Sequence, residues 1–176
     1  MALRALDFDW VTPALAVGGR FAPSDAARLA REHSIRHVVD LRIEACDDDR
    51  VLRRHGIELL HLPTEDVCAI ADEMIELGVA WVNERLDRGA SVLIHCHHGI
   101  GRSALLTLCV LVSRGDEPLE ALIRAKDARR VVSPSPEQLA AFARYCSALR
   151  ERTGAAWDVP AFDALASIAY RHLVEA

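Results

Sequence analysis

Val92-Leu93-Ile94-His95-Cys96-His97-His98-Gly99-Ile100-Gly101-Arg102-Ser103 reads, within twelve residues, as a strand, a tight loop and the start of a helix. Val92, Leu93 and Ile94 form a short unbroken apolar run, the pattern of a parallel strand buried on both faces. From Arg102 to Ser113 the chain reads as a strongly apolar helix. Between the two, Gly99 and Gly101 let the backbone fold closely, because glycine takes positive φ without steric cost. A strand entering a helix through such a loop makes an anion site, with successive N–H groups and the helix N-terminus directed at one oxyanion.

The same loop carries candidate chemistry. Cys96 sits at its base, where a positive field lowers a thiol from ~8.5 into the ~3.5–7.5 range. Arg102, separated from Cys96 by five residues, supplies a planar fork for two phosphate oxygens. A thiolate facing a bound phosphate is a nucleophile aimed at phosphorus, and Ser103 can hydrogen-bond the sulfur and help it leave. A mere connecting turn around a buried cysteine leaves Arg102 and Ser103 unexplained. Metal binding by His95, Cys96, His97 and His98 is disfavoured, since adjacent residues at a strand end alternate in direction.

Outward from the loop, strands and helices alternate before a helical tail. Phe8 to Gly19 reads as an opening strand or hairpin, Ala26 to Glu32 as a short helix, Ile35 to Leu41 as a strand. The charged stretch Glu44 to Arg54 reads as an exposed loop with a helical turn, and Asp47-Asp48-Asp49 within it as a solvated face. Ile57 to Leu62 is a further strand, with Pro63-Thr64-Glu65-Asp66 as the loop after it. Helices are expected over Ile70 to Leu86, Pro118 to Arg129, Pro136 to Arg152 and Pro160 to Val174. The third of these starts with Ser135 as cap, Pro136 in the first turn and Gln138 at the capping-box position. This is an α/β chain: a central, mostly parallel sheet of about four to five strands flanked by helices, with a helical C-terminal half.

With 176 residues, one domain over 1–176 is expected. Apolar residues make up 51% and charged residues 27%, which excludes a disordered chain. A net charge of −5 argues against a general nucleic-acid or anionic-membrane binder. No apolar run approaches the ~18 residues of a membrane span, and MALRALDFDW lacks the apolar core of a signal peptide, so a cytoplasmic location is expected. Five cysteines, an odd and sparse set without a C-x-x-C pair, do not suggest a disulfide framework.

His95-Cys96, five residues, then Arg102-Ser103 resembles the signature loop of the cysteine-dependent protein tyrosine phosphatases, and the small chain resembles their atypical dual-specificity branch. The likeness covers about residues 8–148 and leaves a C-terminal helical extension of about 158–175 outside it. It implies hydrolysis of phosphotyrosine and phosphoserine or phosphothreonine on proteins through a phosphocysteine, with no cofactor and no metal. Cys96 is then the nucleophile, Arg102 the phosphate binder, and Ser103 the group that aids thiolate departure. His97, His98, Gly99, Ile100, Gly101 and Arg102 form the phosphate loop, with His95 buried behind it. Rhodanese-like sulfur transfer also uses a loop cysteine, but His95 and Ser103 favour the phosphatase.

The family places its general acid on a loop about thirty residues before the cysteine, where Asp66 follows a strand, with Glu65 as runner-up. Asp40, in Asp40-Leu41-Arg42, matches a family position that buttresses the site, although a surface ion pair explains it nearly as well. Gln138 matches a water-orienting glutamine or is simply a helix cap. Arg129 matches an arginine that packs behind the loop, although Arg130 stands where a proline usually follows. Cys68 is close enough to Asp66 to approach Cys96 as a redox partner, the plainer reading being a small buried residue. The partner is a phosphorylated protein or small phosphorylated molecule, with no nucleic acid expected. Competing readings are a phosphatase of phosphoinositide, inositol phosphate or RNA 5′-phosphate, and a non-catalytic phosphate-binding module.

Overall fold

The computed structural model describes residues 5–174; the first four residues of the N-terminal stretch and residue 175 of the expected extension lie outside them. Five strands form one sheet: β1 (Phe8–Trp10), β2 (Leu15–Gly18), β3 (Ile35–Arg42), β4 (Glu58–Thr64) and β5 (Ser91–His95). Their order is β1-β2-β5-β3-β4, with only the β1–β2 hairpin antiparallel. The helices are α1 (Ala26–Glu32), α2 (Asp49–Arg54), α3 (Asp72–Asp87), α4 (Arg102–Ser113), α5 (Pro118–Ala128), α6 (Pro136–Thr153), α7 (Phe162–Ala169) and α8 (Arg171–Val174). None of the described helices is long and apolar enough to cross a membrane.

Strand periodicity sends alternate residues to two cores. Ala16, Val38 and Leu93 pack with α1 and α2 through Leu29 and Leu52. Leu15, Val17, Val39, Val92 and Ile94 face the larger core with α3 to α7. At its centre lies α4, buried at every position from Arg102 to Val112, which explains why it is apolar on all faces. This is the α/β fold expected, with the sheet mostly parallel and the C-terminal half helical.

Two expectations need correction. Pro63 and Thr64 belong to β4 rather than to a loop. Proline is tolerated there because β4 is an edge strand, where a missing N–H costs no ladder bond. The expected last helix is broken into α7 and α8 at Tyr170. The first belongs to the body of the fold: Leu165 and Ala169 are fully buried, and the buried Lys126 ammonium donates to the Ala169 carbonyl at 2.7 Å.

Parallel strands all point their C-terminal ends at one edge of the sheet, which is where open α/β sheets collect ligands. Here β2 ends at Gly18, β3 at Arg42, β4 at Thr64 and β5 at His95. The segments that follow carry Arg20, Glu44, Asp66 and Cys96 to the same rim.

Candidate active site

The loop between β5 and α4 is built around Cys96, whose side chain is sequestered with the residue only 3% exposed. Its Sγ lies 3.3 Å from Ser103 Oγ and accepts from the Gly99 N–H at 3.3 Å. Burial alone raises a thiol, but hydrogen bonds from the Ser103 side chain and from the Ser103, Gly99 and Ile100 amides outweigh it and hold Cys96 below the ordinary thiol value.

Of the two glycines, Gly99 takes the positive φ expected of both and Gly101 does not. Gly99 adopts φ +67°, and a Cβ there would meet the Gly18 carbonyl carbon at 2.4 Å, so backbone must pass against backbone. Gly101 keeps a negative φ of −119°. Its lack of a side chain makes room for Gln138, whose Oε1 would lie 2.4 Å from an added Cβ.

Arg102 lies beneath the rim with its guanidinium largely spoken for. Nη1 donates to Glu44 Oε2 at 2.7 Å and to the Thr64 carbonyl at 2.9 Å, and Nη2 donates to Glu44 Oε1 at 2.9 Å. Three of the five guanidinium N–H groups are thereby used. The remaining two, on Nε and Nη2, lie along one edge of the plane, the geometry of a side-on fork for two oxygens. Nε is fully buried without a hydrogen-bond partner among the described residues, with Asp66 Oδ1 3.4 Å away. A buried, unfilled charged donor is costly unless a ligand fills it. The Arg102 hydrogen bond holds the Glu44 carboxyl down at about 2.

Glu44 was not singled out in the sequence, and Asp47 was read there as part of a solvated face, a position the structure overturns. The Asp47 side chain is 7% exposed: it accepts from Arg42 Nη2 and takes a 2.7 Å contact from His95 Nε2. Of the same acidic run, Asp48 caps α2 by accepting from the Arg50 and Val51 amides, and Asp49 alone pairs outward with Arg53.

The buried network continues through Asp40, which accepts from Arg42 Nε at 2.9 Å, Arg42 Nη2 at 2.8 Å and the Asp47 amide at 3.0 Å. Burial pushes the Asp40 carboxyl upward, but the Arg42 hydrogen bonds and the His95 ring bring it below its ordinary value. The surface ion-pair reading of Asp40-Leu41-Arg42 therefore fails, since both charges are inside. His95 is fully buried behind the loop, as expected, with Nδ1 3.2 Å from the Cys96 carbonyl oxygen. Asp40 also lies in two clusters of metal-ligand type, with Asp47 and His95 and with Cys46 and His61. The hydrogen bonds from Arg42 and Asp47 already close its oxygens.

Arg129 packs behind the loop without the usual proline. Its Nε donates to the Gly99 carbonyl at 3.0 Å and Nη2 to the His98 carbonyl at 2.9 Å, while Asp7 and Asp9 neutralise it. Gln138 forms the full capping box with Ser135 and also donates from Nε2 to the Cys68 carbonyl at 3.0 Å. It thereby ties the loop that carries Asp66 to α6. The Ser135 hydroxyl donates to the Val67 carbonyl at 2.6 Å, and the Ala69 amide donates to Glu137 Oε1 at 2.9 Å. Asp66, 65% exposed, thus sits on a tethered loop beside the Arg102 edge. The mouth above is an open hollow of about 390 Å³ lined by Ile43, Glu44, Glu65, Asp66, His97 and His98.

Comparison with known proteins places the chain among phosphatases. A family model described as a polymorphic toxin system DSP-PTPase phosphatase matches residues 17–116. Among solved structures, Tk-PTP in its active form is 28% identical with a TM-score of 0.72, covering 83% of this chain and 97% of that one. Human DUSP28, at 22% identity and TM-score 0.71, covers 85% of this chain and 99% of its own and shares the fold. A sequence named as tyrosine-protein phosphatase R622 of Acanthamoeba polyphaga mimivirus is 35% identical over 63 residues, a match spanning 35% of this chain and only 30% of the viral protein. The chain belongs to the DSP-PTPase phosphatase family of polymorphic toxin systems.

Proposed function

We propose that the chain hydrolyses phosphomonoesters through a phosphocysteine, acting on phosphotyrosine and on phosphoserine or phosphothreonine of proteins. One observation carries this reading. A buried thiol held below its ordinary pKa lies at the bottom of a loop whose arginine leaves a buried Nε without a hydrogen bond. The phosphate oxygens take that nitrogen and the loop amides, and the Cys96 thiolate attacks phosphorus in line. As the P–O bond breaks, Asp66 gives its proton to the leaving oxygen. Water then attacks the phosphocysteine, Asp66 takes its proton, Ser103 donates to the departing sulfur, and inorganic phosphate is released. Both proton transfers use one carboxyl, so the site returns to its starting state after each turnover.

The open mouth supports acceptance of short phosphoserine and phosphothreonine side chains as well as phosphotyrosine, because no deep wall keeps them from the sulfur. The five unpaired cysteines suit a reducing compartment such as the cytoplasm. The test is phosphate release in EDTA by the wild type and by Cys96→Ser. The substrates are a phosphotyrosyl peptide, a phosphothreonyl peptide, a phosphoinositide and a 5′-triphosphorylated RNA. Turnover of both peptides that vanishes in Cys96→Ser is expected. Turnover of the phosphoinositide or the RNA alone contradicts the substrate class, and turnover surviving in Cys96→Ser contradicts the mechanism.

A further inference from the structure

His97 and His98 form a wall with a hollow on each side. One hollow is the mouth already described. The other is a cleft of about 650 Å³ whose lining includes Arg20, Phe21, Pro23 and Arg42. That volume falls in the range of small-ligand sites, roughly 300–1,000 Å³. Arg20 follows the β2 end directly, and its amide donates to the His97 carbonyl at 3.1 Å, which fixes its backbone against the residue next to Cys96. The Arg20 side chain is exposed and forms no ion pair with a described residue. Two carboxylates, Asp7 and Asp25, also line the cleft; Asp7 shares the Arg129 guanidinium with Asp9, and Asp25 shares that of Arg28 with Glu32. Arg42 is committed to Asp40 and Asp47, which leaves Arg20 as the cation available to a ligand.

The local field agrees. Burial, then the neighbouring His98, Arg20 and Arg42 charges, press the His97 imidazole below its ordinary value, with Glu44 acting the other way. An anion in the cleft relieves that repulsion and accepts from Arg20 as a fork and from the imidazoles.

We propose that this cleft is a second anion subsite anchored by Arg20 and walled by His97 and His98. The preferred substrate then carries a second phosphate on the molecule whose first phosphate meets Cys96. This rests on the phosphatase reading and sharpens its substrate class. The second phosphate has two sources, a neighbouring phosphorylated residue on a peptide or another carbon of a small sugar or polyol.

The experiment pairs a phosphotyrosyl peptide with the same peptide bearing an added phosphothreonine, and fructose 6-phosphate with fructose 1,6-bisphosphate. Affinity is measured on Cys96→Ser protein and kcat/KM on the chain with Cys96 intact, each with and without Arg20→Gln. In at least one pair the doubly phosphorylated member is expected to be favoured ~10-fold, chiefly through KM or affinity. Arg20→Gln brings that ratio to about one and Arg20→Lys restores part of it. The favoured pair identifies the source. A ratio near one in both pairs with Arg20 present, or a preference that survives Arg20→Gln, overturns the subsite. A binding preference abolished by Arg20→Gln in a protein that turns over nothing keeps the subsite and overturns the catalytic reading instead.

Discussion

At the scale of single residues, the site depends on hydrogen bonds that favour one charge state of one sulfur. Burial opposes the Cys96 thiolate, and Ser103 with the loop amides overcomes it. Because those donors stabilise the charged form, removing one raises the thiol. In Ser103→Ala the midpoint of iodoacetate alkylation with pH is therefore expected to move upward; an unchanged midpoint would show that the amides alone suffice. Glu44 acts on the partner group. Its carboxyl, held at about 2, stays ionised throughout the neutral range and fixes the end of the Arg102 fork. Glu44→Gln keeps the shape and loses the charge, so a fall of ~10-fold in kcat/KM is expected, against ~100-fold or more for Arg102→Lys, which has no fork to offer. An unchanged kcat/KM in Glu44→Gln would show that Arg102 needs no alignment.

Neither Glu44 nor Asp47 was legible in the sequence, whereas Cys96, Arg102 and Ser103 were. The legible residues sit in one contiguous loop whose spacing is itself the signal. Glu44 is 58 residues from Arg102 and Asp47 is 48 from His95, so their partners arrive only through strand pairing. A run of acids between two strands reads as solvated because most such runs are, and only the packed sheet reveals a buried arginine and histidine waiting for them.

At the scale of elements, the segment that carries Asp66 is strained as well as tethered. Val67 takes φ +59°, a conformation that β-branched residues avoid, while Ser135, Glu137 and Gln138 at the head of α6 hold the segment in place. Asparagine tolerates that conformation, so Val67→Asn is expected to stabilise the protein by about 1 kcal/mol in urea unfolding. A loss of stability would mean that the Val67 side chain contributes packing that its exposed position does not suggest. The capping box of α6 was readable from Ser135, Pro136 and Gln138, but its tie to the Cys68 carbonyl was not, since that bond spans 70 residues. Proline in β4 was misjudged for a related reason: the local rule places Pro63 in a turn, and only the sheet order shows that the strand is an edge.

At the scale of the whole molecule, the alternation of apolar runs was enough to foresee a mostly parallel sheet and a helical C-terminal half. It did not show what the last segment does. Leu165 and Ala169 close the core over α5 and α6, the Ala169 carbonyl accepts from Lys126, and the Tyr170 hydroxyl donates to the Pro134 carbonyl at 2.6 Å. Deleting residues 159–176 would uncover apolar side chains and remove partners of a buried ammonium. The truncated chain is expected to lose more than ~3 kcal/mol, read as a lower urea midpoint. Retention of full stability would instead assign the tail to a role outside the core.

The account as a whole rests on a covalent bond between phosphorus and one sulfur. The direct measurement is rapid acid quench of the wild type turning over a phosphotyrosyl peptide, followed by mass spectrometry of its proteolytic peptides. The expected result is one added phosphoryl group on the peptide containing Cys96, transient with turnover and absent from Cys96→Ser. Turnover without phosphoryl on that peptide at any quench time, or with phosphoryl on a different residue, would contradict it.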